Sequence, residues 1–233
     1  MTRIEPPTLP SGTRLVVEAV SRAALGAIPI AGCAAVELFQ TAISRGRAER
    51  VERWIQDVCG ELERLQISID SLSQSPGFLD AIGPAARAAV ETADEEKAQA
   101  LRNAVVNSTI APDVAADRNA VLLSILVGLT PTHLRLLQLF DNPVAWFQEQ
   151  SLPFPVFAPG TQRVLITRAF PDLNSDPVLL RRVAADLERQ DLSRISLDTT
   201  MSDSGLRDSR TTFLGAALLI FITAPEGNPG SGN

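Results

Sequence analysis

The protein has a single histidine, His133, so any site that pairs an imidazole with a nucleophilic side chain would have to use it. A serine or cysteine nucleophile needs a neighbouring base, and no G-x-S-x-G or similar nucleophile turn is found near a serine. His133 instead follows Thr130 and Pro131, a pattern typical of a helix start. We therefore interpret it as a surface or helix-start residue and not as a catalytic base.

Metal chemistry is not expected, because the ligand types are few and scattered. The two cysteines, Cys33 and Cys59, are far apart in sequence and outside any C-x-x-C spacing, which favours buried small hydrophobes in a reducing compartment over a disulfide. The nearest acidic cluster, at 94–96, is better explained as the N-terminus of a helix. The sequence predicts no metal site.

Phosphate transfer and paired-carboxylate chemistry are also not expected. Lys97 is the only lysine, and neither G-x-x-x-x-G-K-[ST] nor G-x-G-x-x-G occurs. The carboxylates Asp186 and Asp191 lie close in sequence but have no distinguishing context. We therefore predict that the protein is not an enzyme and uses no cofactor.

The composition predicts a folded protein with a surface of mixed charge. A chain of 233 residues with 45% hydrophobic residues can bury a sizeable core, in one large or two small domains. The net charge is -6 and both signs interleave, so nucleic acid is not the default partner. Arginine is far more common than lysine and tyrosine is absent, which indicates a GC-rich bacterial genome. No secretory signal is found, and the cytoplasm is the expected location.

A helical bundle is predicted over residues 13–141, behind a disordered arm at 1–12. Its core is expected at 117–140, where two apolar helices meet between Gly128 and Pro131. A long amphipathic helix is predicted over 46–70, with a break near Gly46 as an alternative. Its apolar positions recur at steps of three and four and are Val51, Trp54, Ile55, Val58, Leu62, Leu65 and Ile69. Two interpretations stay open for this stripe: packing inside the bundle, or a coiled-coil dimer in which Trp54 anchors a partner contact.

Residues 142–224 are predicted to form a smaller α+β unit that contains a proline-rich connection. The alternation of apolar and polar residues over 192–197 predicts a strand, and Asp176 with Pro177 predicts a helix start. The other elements expected along this unit are a short helix after Asn142, a short strand at 164–166, a turn-rich loop over 198–210, a helix rather than a strand over 211–223, and a disordered tail at 225–233.

Several segments together carry a family resemblance. EEKAQALRNAVVNSTI is followed by an apolar helix and GLTPTHLRLLQLF, and DPVLLRRVAADLERQDLSRISL is followed by TTFLGAALLIFIT. Over about residues 95–223 this order resembles uncharacterised bacterial helical proteins of the Abi-alpha (abortive-infection alpha) type, although the proline-rich stretch at 151–176 departs from their pattern. The resemblance implies a winged-helix-like C-terminal unit behind a helical bundle and an association with phage defence. It implies no catalytic residue.

A winged helix would use residues 178–190 as its recognition helix, with Arg181, Arg182 and Arg189 facing phosphates. Residues 163–210 contain eight arginines and eight acidic residues, however, and DNA affinity depends mainly on phosphate neutralisation. A weak nucleic-acid-binding regulator is therefore an alternative to a protein-protein or self-association role, which we favour.

A second alternative is membrane action through the apolar segment at 23–36, which is rich in small residues and kinked at Pro29. A tight helical hairpin explains the same residues. The sequence thus predicts a mainly α protein, a multi-helix bundle with a C-terminal winged-helix-like α+β unit, that acts as a non-enzymatic bacterial interaction protein or oligomer.

Overall fold

The computed structural model describes residues 34–67, 72, 76–110, 115–155 and 160–225, with side chains from residue 46 onward. The predicted arm at 1–12, most of the apolar segment at 23–36, Cys33 and all but the first residue of the predicted tail lie outside these residues. The described part is mainly helical, as predicted, with one sheet of two strands.

The chain divides into two compact units. The first contains residues 1–127 together with 221–233, and the second contains 128–220. These bounds differ from the predicted border after residue 141. The predicted border separates parts that are expected to fold by themselves. The division by contacts does not test this, so the border stays a prediction.

Among its described residues, the first unit contains four helices: α1 (Ala34–Arg64), α2 (Pro76–Glu91), α3 (Glu95–Ile110) and α4 (Ala116–Gly128). Helix α1 continues through Gly46 without the break considered above. Its apolar stripe is buried from Val51 to Leu62, and α1 packs against α2 and α3. The stripe therefore serves the core of its own chain.

The start of α3 follows its sequence signals. Asp94 accepts a hydrogen bond from the backbone N–H of Lys97 at 2.9 Å, and Thr92 accepts one from that of Asp94 at 3.2 Å. Ile110, the last residue of this helix, is 54% exposed. In α2, Pro84 lies inside a continuous helix.

Two asparagines four residues apart on α3 bind the end of the last helix. Asn103 is buried and donates through Nδ2 to the carbonyl of Ile222 at 2.8 Å. Asn107 donates to the carbonyls of Phe221 and Thr223 at 2.8 and 2.9 Å. The last carbonyls of a helix have no partner within the helix, so these two amides satisfy them. The asparagines therefore fix residues 221–223 to α3.

The second unit is built mainly from short helices. In chain order its helices and strands are α5 (Pro131–Asp141), α6 (Pro143–Glu149), β1 (Gly160–Thr161), α7 (Arg163–Ala169), α8 (Pro171–Asn174), α9 (Pro177–Arg189), β2 (Thr200–Met201), α10 (Asp203–Arg207) and α11 (Phe213–Ile222). The last two residues of α11 belong to the first unit. Strands β1 and β2 are antiparallel, with Gly160 opposite Met201.

Two strands predicted in this unit are wrong. Residues 164–166 lie in helix α7, since a run of three apolar residues fits a buried helix as well as a strand. Residues 192–197 form only an isolated bridge between Ser193 and Thr211. Both Leu192 and Ser193 are buried, so the period-two pattern of one buried face is broken. The loop predicted over 198–210 contains β2 and α10, whereas the predicted final helix is confirmed as α11.

The leucine-rich segment around Gly128 and Pro131 is sheltered, as predicted. Its fully or nearly fully buried residues are Leu122, Leu123, Leu126, Leu129, Leu134, Leu136, Leu137, Leu139 and Phe140. Within the described residues no single helix is long and apolar enough to cross a membrane, and only α4 and α5 taken together as a bent pair meet those limits.

Candidate functional site

Helix α9 is positioned by its sequence so that one face is buried and the other is presented to solvent. Asp176 accepts a hydrogen bond from the backbone N–H of Leu179 at 2.9 Å, and Pro177 takes the first helical position. The buried face consists of Leu180, Val183, Ala184 and Leu187. The predicted site residues Arg181, Arg182 and Arg189 all lie on the exposed part of the helix.

Two of these arginines bind the same carboxylate on their own helix. Arg182 Nε is 2.7 Å from Asp186 Oδ2, and Arg189 Nη2 contacts Asp186 Oδ1. The hydrogen bond from Arg182 is the largest cause that lowers the pKa of Asp186, and the bond from Arg189 acts in the same direction. Arg182 and Arg189 are therefore partly neutralised before any partner arrives.

The single histidine lies on the other side of Asp186. His133 is buried in the first turn of α5, and its Nε2 is 3.7 Å from Asp186 Oδ2. Its Nδ1 accepts the backbone N–H of Thr130 at 3.1 Å and lies 2.7 Å from Thr130 Oγ1. The helix-start position agrees with the sequence, but the residue is not on the surface.

The hydroxyl of Thr130, the imidazole of His133 and the carboxylate of Asp186 follow the order of groups used in nucleophilic catalysis. Their geometry nevertheless favours a structural role. Nδ1 of His133 is occupied by the N–H of Thr130, which leaves the other nitrogen to face Asp186. The arrangement connects the start of α5 with α9. No local pattern could signal this arrangement, because His133 and Asp186 are brought together only by the packing of those two helices.

Acid should weaken the ion pairs that Asp186 makes with Arg182 and Arg189. The pKa of Asp186 is lowered from its ordinary value of 3.8, so its contribution to stability is present above the pKa of the unfolded chain and is lost as the pH falls through the lower folded pKa. We expect the melting temperature of the second unit to fall more steeply below about pH 4 in the wild type than in Asp186→Asn. The fluorescence of Trp146, in a Trp54→Phe background, would measure the melting temperature of the second unit at each pH. The exposed Asp172→Asn should retain the wild-type slope, and equal slopes for all three would contradict the role of Asp186.

The third predicted arginine belongs to a different cluster. Arg181 Nη2 is 3.4 Å from Asp198 Oδ2, and Arg163 Nη2, at the start of α7, is 3.4 Å from Asp198 Oδ1. Neither Arg163 nor Asp198 was among the site residues predicted from the sequence. The structure thus separates the predicted arginine group into two sets, one centred on Asp186 and one on Asp198.

Trp54, the predicted partner contact, is in the first unit and is only 5% exposed. Its indole Nε1 donates to the carbonyl of Ala98 on α3 at 3.0 Å. Two clefts of about 100 and 150 Å³ lie beside it and share Asp57, Glu95 and Ala98 in their lining. Both are below the size of ordinary small-molecule sites, roughly 300 Å³ or more. Trp54 serves first as a contact between α1 and α3.

Two other reactive side chains are also held within the first unit. Burial lowers the pKa of Lys97, whose Nζ donates to the carbonyl of Val127 in the last turn of α4 at 3.1 Å. Burial, and then the charge of Glu63, raises the pKa of the Cys59 thiol, which makes it a weaker nucleophile at neutral pH. In the described part of the chain no three histidine, cysteine or acidic residues are grouped as metal ligands would be.

Comparison with models of known protein families, with curated proteins and with solved structures finds no match to this chain. The function is therefore argued from the residues of the chain itself.

Proposed function

We propose that this protein is a non-enzymatic interaction protein that binds a protein partner, or a second copy of itself, through its second unit. The observation that carries the proposal is a set of large apolar side chains that this unit leaves in solvent. On α9, Val178 is 78% exposed and Leu179 is 43% exposed. On α11, Phe213 is 100% exposed and Ile220 is 74% exposed.

These side chains are arranged on helices in a way that a partner can use. Phe213 and Ile220 are seven residues apart, so they lie on one face of α11. Val178 and Leu179 stand in the same exposed part of α9 as Arg181 and Arg182. Aromatic residues and arginine are enriched in protein interfaces, and burial of this apolar surface would contribute roughly 25 cal/mol per Å². We call these four apolar residues the exposed apolar set.

The charges in this unit support a protein partner over nucleic acid. Nine arginines and ten acidic residues occur in residues 128–220. Arg181, Arg182 and Arg189 each have a carboxylate partner within the unit. Since affinity for nucleic acid comes mainly from neutralising phosphates, a unit without excess positive charge is poorly suited to that role.

The reactive side chains support a role without catalysis. His133 binds Thr130 and faces Asp186, Lys97 binds the end of α4, and the pKa of Cys59 is raised. Each of these groups connects or fills the fold. The bacterial source, the cytoplasmic location, the winged-helix-like fold of residues 142–224 and the association with phage defence remain part of the proposal and depend on the resemblance and composition described above.

Capture by the immobilised protein from a bacterial lysate, together with sedimentation at several concentrations, would test the proposal. We expect the wild type to retain one protein in near-stoichiometric amount, or to self-associate. The pair Val178→Glu with Leu179→Glu, or the pair Phe213→Ser with Ile220→Ser, should reduce this binding at least tenfold, because charged or small polar groups replace the buried apolar contacts.

Leu79→Glu is the matched control, since Leu79 is a 50% exposed apolar residue on α2 in the first unit. It should bind like the wild type. Equal binding by both paired variants and the control, or tighter binding to a duplex oligonucleotide than to any protein, would reject the proposed function.

A further inference from the structure

Two arginines from different helices converge on one carboxylate in the second unit. Arg163 is the first residue of α7 and Arg181 is on α9. Each approaches its own oxygen of Asp198 through Nη2, at 3.4 Å. The Asp198 side chain is 67% exposed, as is that of Arg181, and that of Arg163 is 27% exposed. A point near two guanidinium groups that solvent can reach is suited to bind an oxyanion.

The backbone on both sides of Asp198 is held in place. Gln162 is buried, and its Oε1 accepts the backbone N–H of Ser196 at 2.6 Å. After Asp198, Thr200 pairs with Thr161 in the two-stranded sheet. Because the two anchors precede and follow Asp198 closely, its carboxylate is delivered to the same place beside α7. The fold therefore holds the backbone of Asp198 beside α7.

Asp198 occupies this site only weakly. Both nitrogen-to-oxygen distances are 3.4 Å, longer than the 2.7–2.9 Å that is typical of charge-assisted hydrogen bonds. Ion pairs as exposed as these contribute little to stability. Two positive groups face one negative group, so a net positive charge remains for a second anion. An external oxyanion with better geometry can displace the internal carboxylate.

We propose that Arg163 and Arg181 form a carboxylate-binding site that Asp198 occupies in the free protein, and that an acidic side chain of a protein partner displaces it. This inference rests on the proposed function, because Arg181 lies beside Val178 in the exposed part of α9. A carboxylate is favoured over a phosphate since Asp198 already presents that group to both arginines. The near balance of charges in residues 128–220 also disfavours a polyanion.

Removal of the internal carboxylate should open the site. The probe is a fluorescent peptide of six aspartates, with its affinity measured by anisotropy at low salt. We expect Asp198→Ala to bind the peptide about three- to tenfold more tightly than the wild type, since two weak ion pairs no longer compete. Arg163→Gln and Arg181→Gln together, in the Asp198→Ala background, should abolish the gain. Should Asp198→Ala not fold, Asp198→Asn keeps the shape and removes the charge.

The matched control is Arg168→Gln in the Asp198→Ala background, because Arg168 is an exposed arginine in the last turn of the same helix α7. It should keep the gain in affinity. No gain on removing Asp198, or an equal loss with Arg168→Gln, would overturn the inference. If Asp198→Ala increased the affinity for a six-nucleotide single strand more than the affinity for the peptide, the choice of a carboxylate as the ligand would be overturned.

These outcomes are distinct from those that test the proposed function. The test of the proposed function changes the exposed apolar set, which is Val178, Leu179, Phe213 and Ile220. None of these residues is changed in the peptide experiment. If those variants behave as expected and the peptide gain is absent, the interaction surface stands without a carboxylate site.

Discussion

Gly215→Ala should unfold the second unit or destabilise it by about 3 kcal/mol or more, because a methyl group at this position has no space. A Cβ there would lie 2.1 Å from the carbonyl oxygen of Leu192 and 2.7 Å from Cγ2 of Thr211. The carbonyl cannot retreat easily, since it accepts the N–H of Thr212 at 3.0 Å and Leu192 is fully buried. Only glycine lets α11 approach this backbone.

The measurement is equilibrium unfolding in denaturant, followed by Trp146 fluorescence in a Trp54→Phe background. Trp146 lies in the second unit, where its ring contacts those of Phe147 and Phe170 at 5.2 Å. Gly205→Ala is the control, because Gly205 is also inside a helix of the second unit and the atoms nearest to an added Cβ are 3.4 Å away, an ordinary contact distance. That change should leave the stability within about 1 kcal/mol of the wild type. A Gly215→Ala transition within about 1 kcal/mol of the wild type would mean that α11 does not pack on Leu192.

Much of the helical architecture could be predicted because its signals are local. Asp176 with Pro177 and Thr130 with Pro131 each place a capping oxygen and a proline at a helix start, and α9 and α5 begin there. The steps of three and four from Val51 to Leu62 likewise correspond to the buried side of α1. Helix starts and amphipathic stripes depend on residues that are close in the chain, so both can be predicted from the sequence.

The strand predicted at 192–197 is wrong because the hydrogen-bond partners of this segment are distant in sequence. At 192–197 the backbone N–H of Arg194 binds the carbonyl of Arg210, and that of Ser196 binds the side chain of Gln162. These single bonds from different partners replace the ladder that a strand would form. No pattern within six residues can specify such partners, and the same limit applied to β1 and β2.

The polar clusters could not be predicted for the same reason. Arg181, Arg182 and Arg189 were recognised as one group by their positions on a helix, but their carboxylate partners divide them. Asp186 is on the same helix, at spacings that sequence can suggest. Asp198 and Arg163 come from a loop and another helix, and only the folded chain brings them to Arg181. The consequence is chemical: each of the three arginines has a carboxylate partner, in keeping with the balanced charge counted over residues 163–210.

Trp54→Ala should destabilise the first unit by about 3–5 kcal/mol, whereas Trp54→Phe should cost about 1–2 kcal/mol. The alanine removes a buried aromatic side chain between α1 and α3 together with its hydrogen bond to Ala98. Phenylalanine keeps most of the buried area and loses only the N–H donor. Hydrogen exchange of peptides from α1 and α3, read by mass spectrometry, would measure the loss of protection in each variant.

Gln56→Ala is the control for this experiment, since Gln56 is exposed on the same helix and should change protection little. The prediction separates two roles that the sequence left open for Trp54. If Trp54 belongs to the core, its truncation lowers the stability of α1 and α3 with or without a partner. If Trp54 is a partner anchor, its truncation leaves the hydrogen exchange of α1 and α3 unchanged and abolishes binding. Unchanged protection in Trp54→Ala, combined with loss of the captured protein, would assign Trp54 to the partner contact and reject its role in the core.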